Sequence, residues 1–288
     1  MVCLAALLWG ISAAVAKYIF LAGIDPGDLV AIRLSGAFLI LLPILLVQRR
    51  RLSLPSRRSL PWLLVLGITF PLLIWTYYLA IWLAGVATAV FLQYQAPVML
   101  AGLSLVTGKD RPRADRLLAI SLAVVGCYLL VTGGGEGLEL GTAGVAAGLT
   151  SAALWALYAV GGEALGGRED PWAILLWVLF LGTIAWSPAR PPLAAWKTGL
   201  GSVPWPGLAL VIVLGTLAPF GLYLTGLRTL TAGKATLTAT LEPVVAALAA
   251  YLMLGESLAF AQIVGSLLVL AALVAIRPRA RPVGRETG

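Results

Sequence analysis

Ten runs of mostly apolar residues, at about 2–22, 28–47, 62–81, 86–106, 116–132, 142–164, 171–187, 205–226, 234–254 and 258–276, leave this chain few ways to fold. A helix that crosses a bilayer needs about 20 such residues. In lipid every backbone N–H and C=O must find an internal partner, so serial runs of this length read as membrane helices. Of the 288 residues 60% are hydrophobic and 11% charged, against roughly a quarter charged in soluble domains. Glycines and prolines within apolar runs mark close packing and local breaks. The first run contains Ala14-Val15-Ala16, which resembles a signal-peptidase site. No basic region precedes it and Lys17-Tyr18 leads into more apolar sequence, so it reads as a span.

A net charge of +8 could suggest nucleic acid, but the positions of the charges speak for membrane topology. Sixteen of the 20 Lys and Arg residues lie in the connections after runs 2, 4, 6 and 8 or in the tail from Arg277 to Arg285. Arg190 and Lys197 lie in the opposite connections, and Lys17 and Arg33 lie within runs. Basic residues in short loops mark the cytoplasmic side. The expectation is a multi-pass protein of the cell inner membrane with both termini cytoplasmic. Its partners are then the bilayer and a small-molecule substrate, with no nucleic acid. The sequence fixes no oligomeric state, and a monomer is compatible with it.

The chain has no histidine, and Cys3 and Cys127 lie in apolar runs, so neither a metal site nor a disulfide framework is expected. With no P-loop and no GxGxxG after a strand, no cofactor is expected and ATP cannot drive the protein directly. Without GxSxG or histidine, an intramembrane enzyme would depend on isolated carboxylates or lysines, so no catalytic residue is assigned.

The sequence repeats itself sparsely. Trp9-Gly10 resembles Trp155-Ala156, Gly67 and Pro71 echo Gly215 and Pro219, and Pro97 with Asp110 echoes Pro243 with Glu256. Each half then holds five runs, joined at Gly133-Gly134-Gly135. An odd number of spans per half inserts the halves with opposite orientation, the architecture of many secondary transporters. The expected fold is therefore an all-α integral membrane protein of ten transmembrane helices in two inverted five-helix repeats. The repeats cover 1–133 and 134–276, and a basic cytoplasmic tail covers 277–288.

In such carriers the ligand sits at the midplane between the repeats, beside broken helices. Pro71, Pro97, Pro219 and Pro243 fall mid-run and are the expected breaks and hinges. Glu242 adjoins Pro243, and Lys234, Thr238 and Glu242 form a polar stripe at i, i+4 and i+8. Glu242 could take and release a proton, pair with a ligand's amino group, or bond the opened backbone at Pro243. The expected cavity lining is Trp9, Ser12, Trp75, Tyr78, Gln93, Tyr94, Gln95, Trp155, Tyr158, Tyr223, Thr238 and Glu242. Tyrosine and tryptophan offer an apolar wall with a polar tip. Buried amides and hydroxyls need a partner, so Gln93 and Gln95 could equally bond between helices. Lys17 and Arg33 lie near the outer ends of their runs, where they would snorkel or line the outer mouth. Trp62, Trp172 and Trp205 read as interfacial anchors.

Four features of the C-terminal half, Ala232-Gly233, Glu242-Pro243, Leu254-Gly255-Glu256 and Gly265, resemble the repeat of EamA-type carriers in the drug/metabolite transporter superfamily. The N-terminal half is a weaker copy, with Gln95-Ala96-Pro97 and Gly108-Lys109-Asp110. The resemblance implies ten helices, two inverted repeats, alternating access and export of amino acids or other small metabolites. The aromatic-rich runs are similar to those of the amino-acid and methyl-viologen exporters of that group. A secondary carrier exporting small amphiphilic metabolites, amino acids first, is thus expected. The alternatives are an exporter of cationic or aromatic drugs and a membrane scaffold or sensor that transports nothing.

Overall fold

The computed structural model describes residues 1–48, 55–107, 114–133, 141–254 and 259–275. The Lys17 side chain and the basic tail fall outside the described residues. Within them the chain is helical: α1 (Val2–Leu21), α2 (Pro26–Val47), α3 (Leu60–Gln93), α4 (Ala96–Val106), α5 (Ala114–Thr132), α6 (Thr142–Gly166), α7 (Pro171–Trp186), α8 (Pro192–Ser202), α9 (Trp205–Ile212), a π-turn (Val213–Leu217), α10 (Ala218–Leu227), α11 (Ala232–Ala239), α12 (Glu242–Leu254) and α13 (Phe260–Ala275). Five stretches, Pro26–Val47, Leu60–Val86, Thr88–Val106, Thr142–Gly166 and Trp205–Leu227, are long and apolar enough to cross a membrane. Shorter apolar helices cover Val2–Ser12, Leu117–Thr132, Pro171–Trp186 and Phe260–Ala275.

Helix starts follow local chemistry. The Asp25 carboxylate accepts the Gly27 N–H at 2.8 Å, with Pro26 at the first position of α2. Asp170 likewise accepts the N–H groups of Trp172 and Ala173, with Pro171 following. Both carboxylates satisfy orphan donors where proline costs nothing.

The breaks matter more for the site. Within α3 the backbone turns at Gly85, with φ 75° and ψ 164°, a region essentially closed to other residues. The runs predicted at 62–81 and 86–106 therefore meet at a one-residue corner. Gly85→Ala is expected to cost about 1–3 kcal/mol, read as a lower melting temperature in detergent, because open space around Gly85 leaves backbone strain as the only penalty. Regular helix stops again at Tyr94–Gln95 and restarts at Ala96-Pro97. The run predicted at 234–254 stops at Thr240–Leu241 and restarts at Glu242-Pro243. Pro219 acts differently. It cannot donate to Gly215, and the helix before it opens into a π-turn in which the Ala218 N–H reaches back to the Val213 carbonyl. Pro71 sits inside α3, where its ring and the Gly67 carbonyl lie against Gly182 of α7.

Packing pairs elements across the chain. α6 lies along α3, and α5 along α13. α1 runs against α9, the π-turn and α10, and also touches α11 and α12, while α4 touches α6. α2 packs on α7, α8 and α9, and α7 on α3. The α5–α13 seam is tightest at two glycines: a Cβ on Gly126 would stand 2.7 Å from the Gly265 carbonyl, and one on Gly265 would stand 2.6 Å from that of Gly126. Small residues let backbones approach this closely.

α8 was not among the ten predicted runs. Its eleven residues, PLAAWKTGLGS, are too short and too mixed to read as a span. It is nevertheless docked: Trp196 Nε1–H donates to Ser35 Oγ at 2.9 Å, and Gly199 abuts Ile32. Nearby, Arg190 bonds Asp25 at 3.1 Å and approaches Asp28 at 3.5 Å. Far along the chain from these, the Ser56 N–H donates to Glu169.

Candidate functional site

The π-turn faces α1 and α2, and there the chain buries a cation. Arg33 is 8% exposed. Its Nε–H donates to Thr216 Oγ1 at 2.8 Å, one terminal nitrogen donates to the Gly215 carbonyl at 2.7 Å, and the other donates to the Tyr78 hydroxyl. The guanidinium also stands 5.6 Å from the centroid of the Tyr78 ring. Gly215 is the residue four before Pro219, so its carbonyl lacks its usual helical donor. Arg33 and Trp9 replace that donor, Trp9 Nε1–H at 3.2 Å. Ser12 completes this corner, its hydroxyl donating to the Trp9 carbonyl at 3.0 Å.

These contacts correct the expectation for Arg33. It neither snorkels nor lines an outer mouth. A 1.5 Å rise per residue puts Gly215 near the middle of the Trp205–Leu227 stretch, and the arginine turns inward to meet it. A charge so deep is costly and needs fixed dipoles around it, which three neutral acceptors supply.

The second polar element lies at the two helix breaks. The Tyr94 hydroxyl donates to Glu242 Oε2 at 2.6 Å, so the N-terminal break meets the C-terminal one. Close packing ties this pair to the arginine. Gly10 of α1 abuts the Glu242 carbonyl and Val245, while Trp9 and Ser12, within one turn of it, touch Gly215. Tyr94→Phe removes a bond to a carboxylate, worth about 1.5–3 kcal/mol; the expected result is a lower melting temperature in detergent, and an unchanged one would mean that the bond carries no stability.

The third element is aromatic. Trp155 stacks on Tyr158 with ring centroids 5.9 Å apart and lies 4.8 Å from Tyr223. Trp9 meets Trp155 edge-on at 5.4 Å and Phe220 at 5.0 Å, and Phe70 stacks on Tyr158 at 5.3 Å. Tyr158 and Tyr223 are fully buried. The rings fill one another's space, so these residues form a packed wall behind the polar centre. Trp9 belongs to both.

Other predicted residues stand apart. Gln93 donates to Ser151 Oγ at 2.9 Å, the interhelical alternative weighed for it. Gln95 folds back onto the Phe91 carbonyl and Thr238 onto the Lys234 carbonyl, each within its own segment. Trp75 pairs with Trp186, the last residue of α7. Of the expected anchors, Trp205 is exposed, whereas the Trp172 ring lies against Gly221 of α10. Two contributors were missed. Thr216 holds Arg33, and no local sequence signal marks it, because the two lie 183 residues apart. Glu163 accepts the Ala232 N–H at 2.7 Å and so caps α11 from α6.

This arrangement, helices broken at mid-length around a few polar groups, is what a solute pathway needs. A family profile described as the EamA-like transporter family matches residues 1–132 and 142–277. The chain belongs to the EamA-like transporter family. It is thus a membrane transporter and not an enzyme, as expected. This EamA-like chain is 32% identical over 257 residues to an uncharacterized transporter of Archaeoglobus fulgidus, covering 88% of this chain and 87% of the relative. It is 29% identical to the inner membrane transporter YicL of Salmonella typhimurium, covering 97% and 96%. It is 28% identical to the threonine/homoserine exporter RhtA of Escherichia coli, covering 91% and 84%. A solved crystal structure shares the fold, with a TM-score of 0.72 at 18% identity over 94% of this chain and 93% of that one.

Proposed function

We infer that this EamA-like transporter is a secondary carrier that exports small amphiphilic metabolites, neutral amino acids first, across the inner membrane. The observation that carries the reading is the meeting of the two helix breaks, Tyr94 on Glu242, one turn of α1 away from the buried Arg33. That centre is polar and aromatic with few fixed charges, suited to small solutes of mixed character. Kinship with threonine/homoserine exporters supports amino acids.

The proposed architecture is ten spans in two inverted halves, 1–133 and 134–276, with both termini cytoplasmic and the prolines as hinges. The family profile matches each half. Contacts support it too: α1 against α10 has its counterpart in α6 against α3, and α12 against α1 in α4 against α6. Transport would proceed by rocking one group of helices against the other around the central groups, driven by a solute or ion gradient.

The test is counterflow of labelled L-threonine and L-homoserine in liposomes containing only this protein. Movement faster than in empty vesicles is expected. If no member of a panel of amino acids, amines and cationic dyes moves faster than the leak, the carrier reading fails.

A further inference from the structure

Arg33 and Glu242 are the basic and the acidic side chain of the centre, and no hydrogen bond joins them among the described residues. Arg33 uses three of its five N–H donors, all on neutral acceptors: Thr216, Gly215 and Tyr78. One donor remains on each terminal nitrogen, the number a carboxylate takes in a bidentate pair. Glu242 receives only the Tyr94 hydroxyl, on Oε2, among the described residues, which leaves Oε1 free to accept. No ion pair joins the two groups among the described residues. Both groups lie against one turn of α1: Gly10 abuts the Glu242 backbone, and Ser12 lies beside Gly215, which Arg33 bonds.

Helix packing maintains this separation. Gly215 and Thr216 clamp the guanidinium to the π-turn, and the Glu242 backbone is fixed against Gly10. Arg33 is anchored by its own neighbours, and the Glu242 side chain is held by the Tyr94 hydroxyl. An arginine buried without a carboxylate would be a poor structural choice if its only task were to satisfy the Gly215 carbonyl, which Trp9 already bonds.

We propose that Arg33 and Glu242 form a divided charge pair that reads zwitterions, with the substrate's carboxylate on Arg33 and its ammonium on Glu242. This rests on the carrier reading above and narrows it to α-amino acids that keep both charges. A ligand so held completes each side's hydrogen bonds and neutralises both charges at once. Compounds with one charge leave the other protein charge unpaired in a low-dielectric site. The pre-set geometry lowers the ordering cost of binding. Side-chain identity would be read only by the aromatic wall, so selectivity among small neutral amino acids would be shallow.

The experiment is competition against counterflow of labelled L-threonine in proteoliposomes of the unaltered protein. The competitors are unlabelled L-threonine and three analogues that each lack one charge: L-threonine amide and isopropanolamine lack the carboxylate, and β-hydroxybutyrate lacks the ammonium. Each altered compound is expected to compete about 10- to 100-fold more weakly than threonine, the range for a lost charge-assisted bond. In Arg33→Gln the preference for threonine over its amide should disappear. In Glu242→Gln the preference over β-hydroxybutyrate should disappear. Equal competition by all four compounds in the unaltered protein overturns the charge pair and leaves the carrier reading standing. Absence of any threonine counterflow while another solute of the panel moves overturns the amino-acid assignment and the pair with it.

Discussion

Arg33→Leu is expected to lower the stability of the folded protein by about 1–3 kcal/mol for each neutral acceptor it leaves without a donor. Leucine replaces the stem but none of the donors. Thr216 and Tyr78 each lose the bond from Arg33, and the Gly215 carbonyl keeps the longer bond from Trp9. Each buried group left unsatisfied costs about 1–3 kcal/mol. α2, α3 and the π-turn all meet at this side chain, so the loss should loosen three elements together. Melting in detergent, followed by size-exclusion chromatography, would show an earlier transition and a lower monodisperse yield. A variant as stable as the parent would mean that Arg33 contributes nothing to folding, and its burial would then be purely functional.

The second large effect is expected at the α5–α13 seam. Gly265→Leu must place a side chain where the Gly126 carbonyl and the Leu130 N–H already stand, at 2.6 and 2.9 Å from a bare Cβ. Backbone atoms cannot rotate away as a flexible side chain would, so the helices must part. Overpacking usually costs about 1–3 kcal/mol; here the loss of neighbouring contacts, among them Val269 at the same seam, adds to it. Folded yield should fall sharply in Gly265→Leu and in Gly126→Leu. The double variant should be worse than either, since each glycine faces the other's carbonyl. By contrast Gly102→Ala, at a position open to its surroundings, should leave yield unchanged and serves as the control.

The positions of the helices were legible because lipid imposes one rule, a long apolar run, on every crossing segment. The breaks were legible in part: α3 runs through Pro71, expected as a break, and turns instead at Gly85, which no proline marks. Pro97 and Pro243 each follow a stop in regular helix, and Pro219 follows the π-turn. Their consequences were less so. Sequence gives no sign that a freed carbonyl at Gly215 will find a guanidinium from α2, because that partner lies 182 residues away. Arg33 was misread for this reason: position along a run suggests depth, whereas the direction of the side chain depends on what faces it. Glu242 adjoins Pro243 in sequence, whereas its partner Tyr94 lies 148 residues away, and no local pattern links the two. Gln93, Gln95 and Thr238 share the polar signature of site residues, but local or interhelical bonds absorb them. α8 escaped notice because eleven residues of mixed character carry no strong periodic signal.

Gly85 alone joins the two arms of α3, so the arms have no slack. They can swing about that point as the legs of a compass do, and neither can slide along the other. The link between α10 and α11, residues 228–231, is longer and can absorb a shift in length. The N-terminal link therefore has no length to give, whereas the C-terminal one has the residues 228–231.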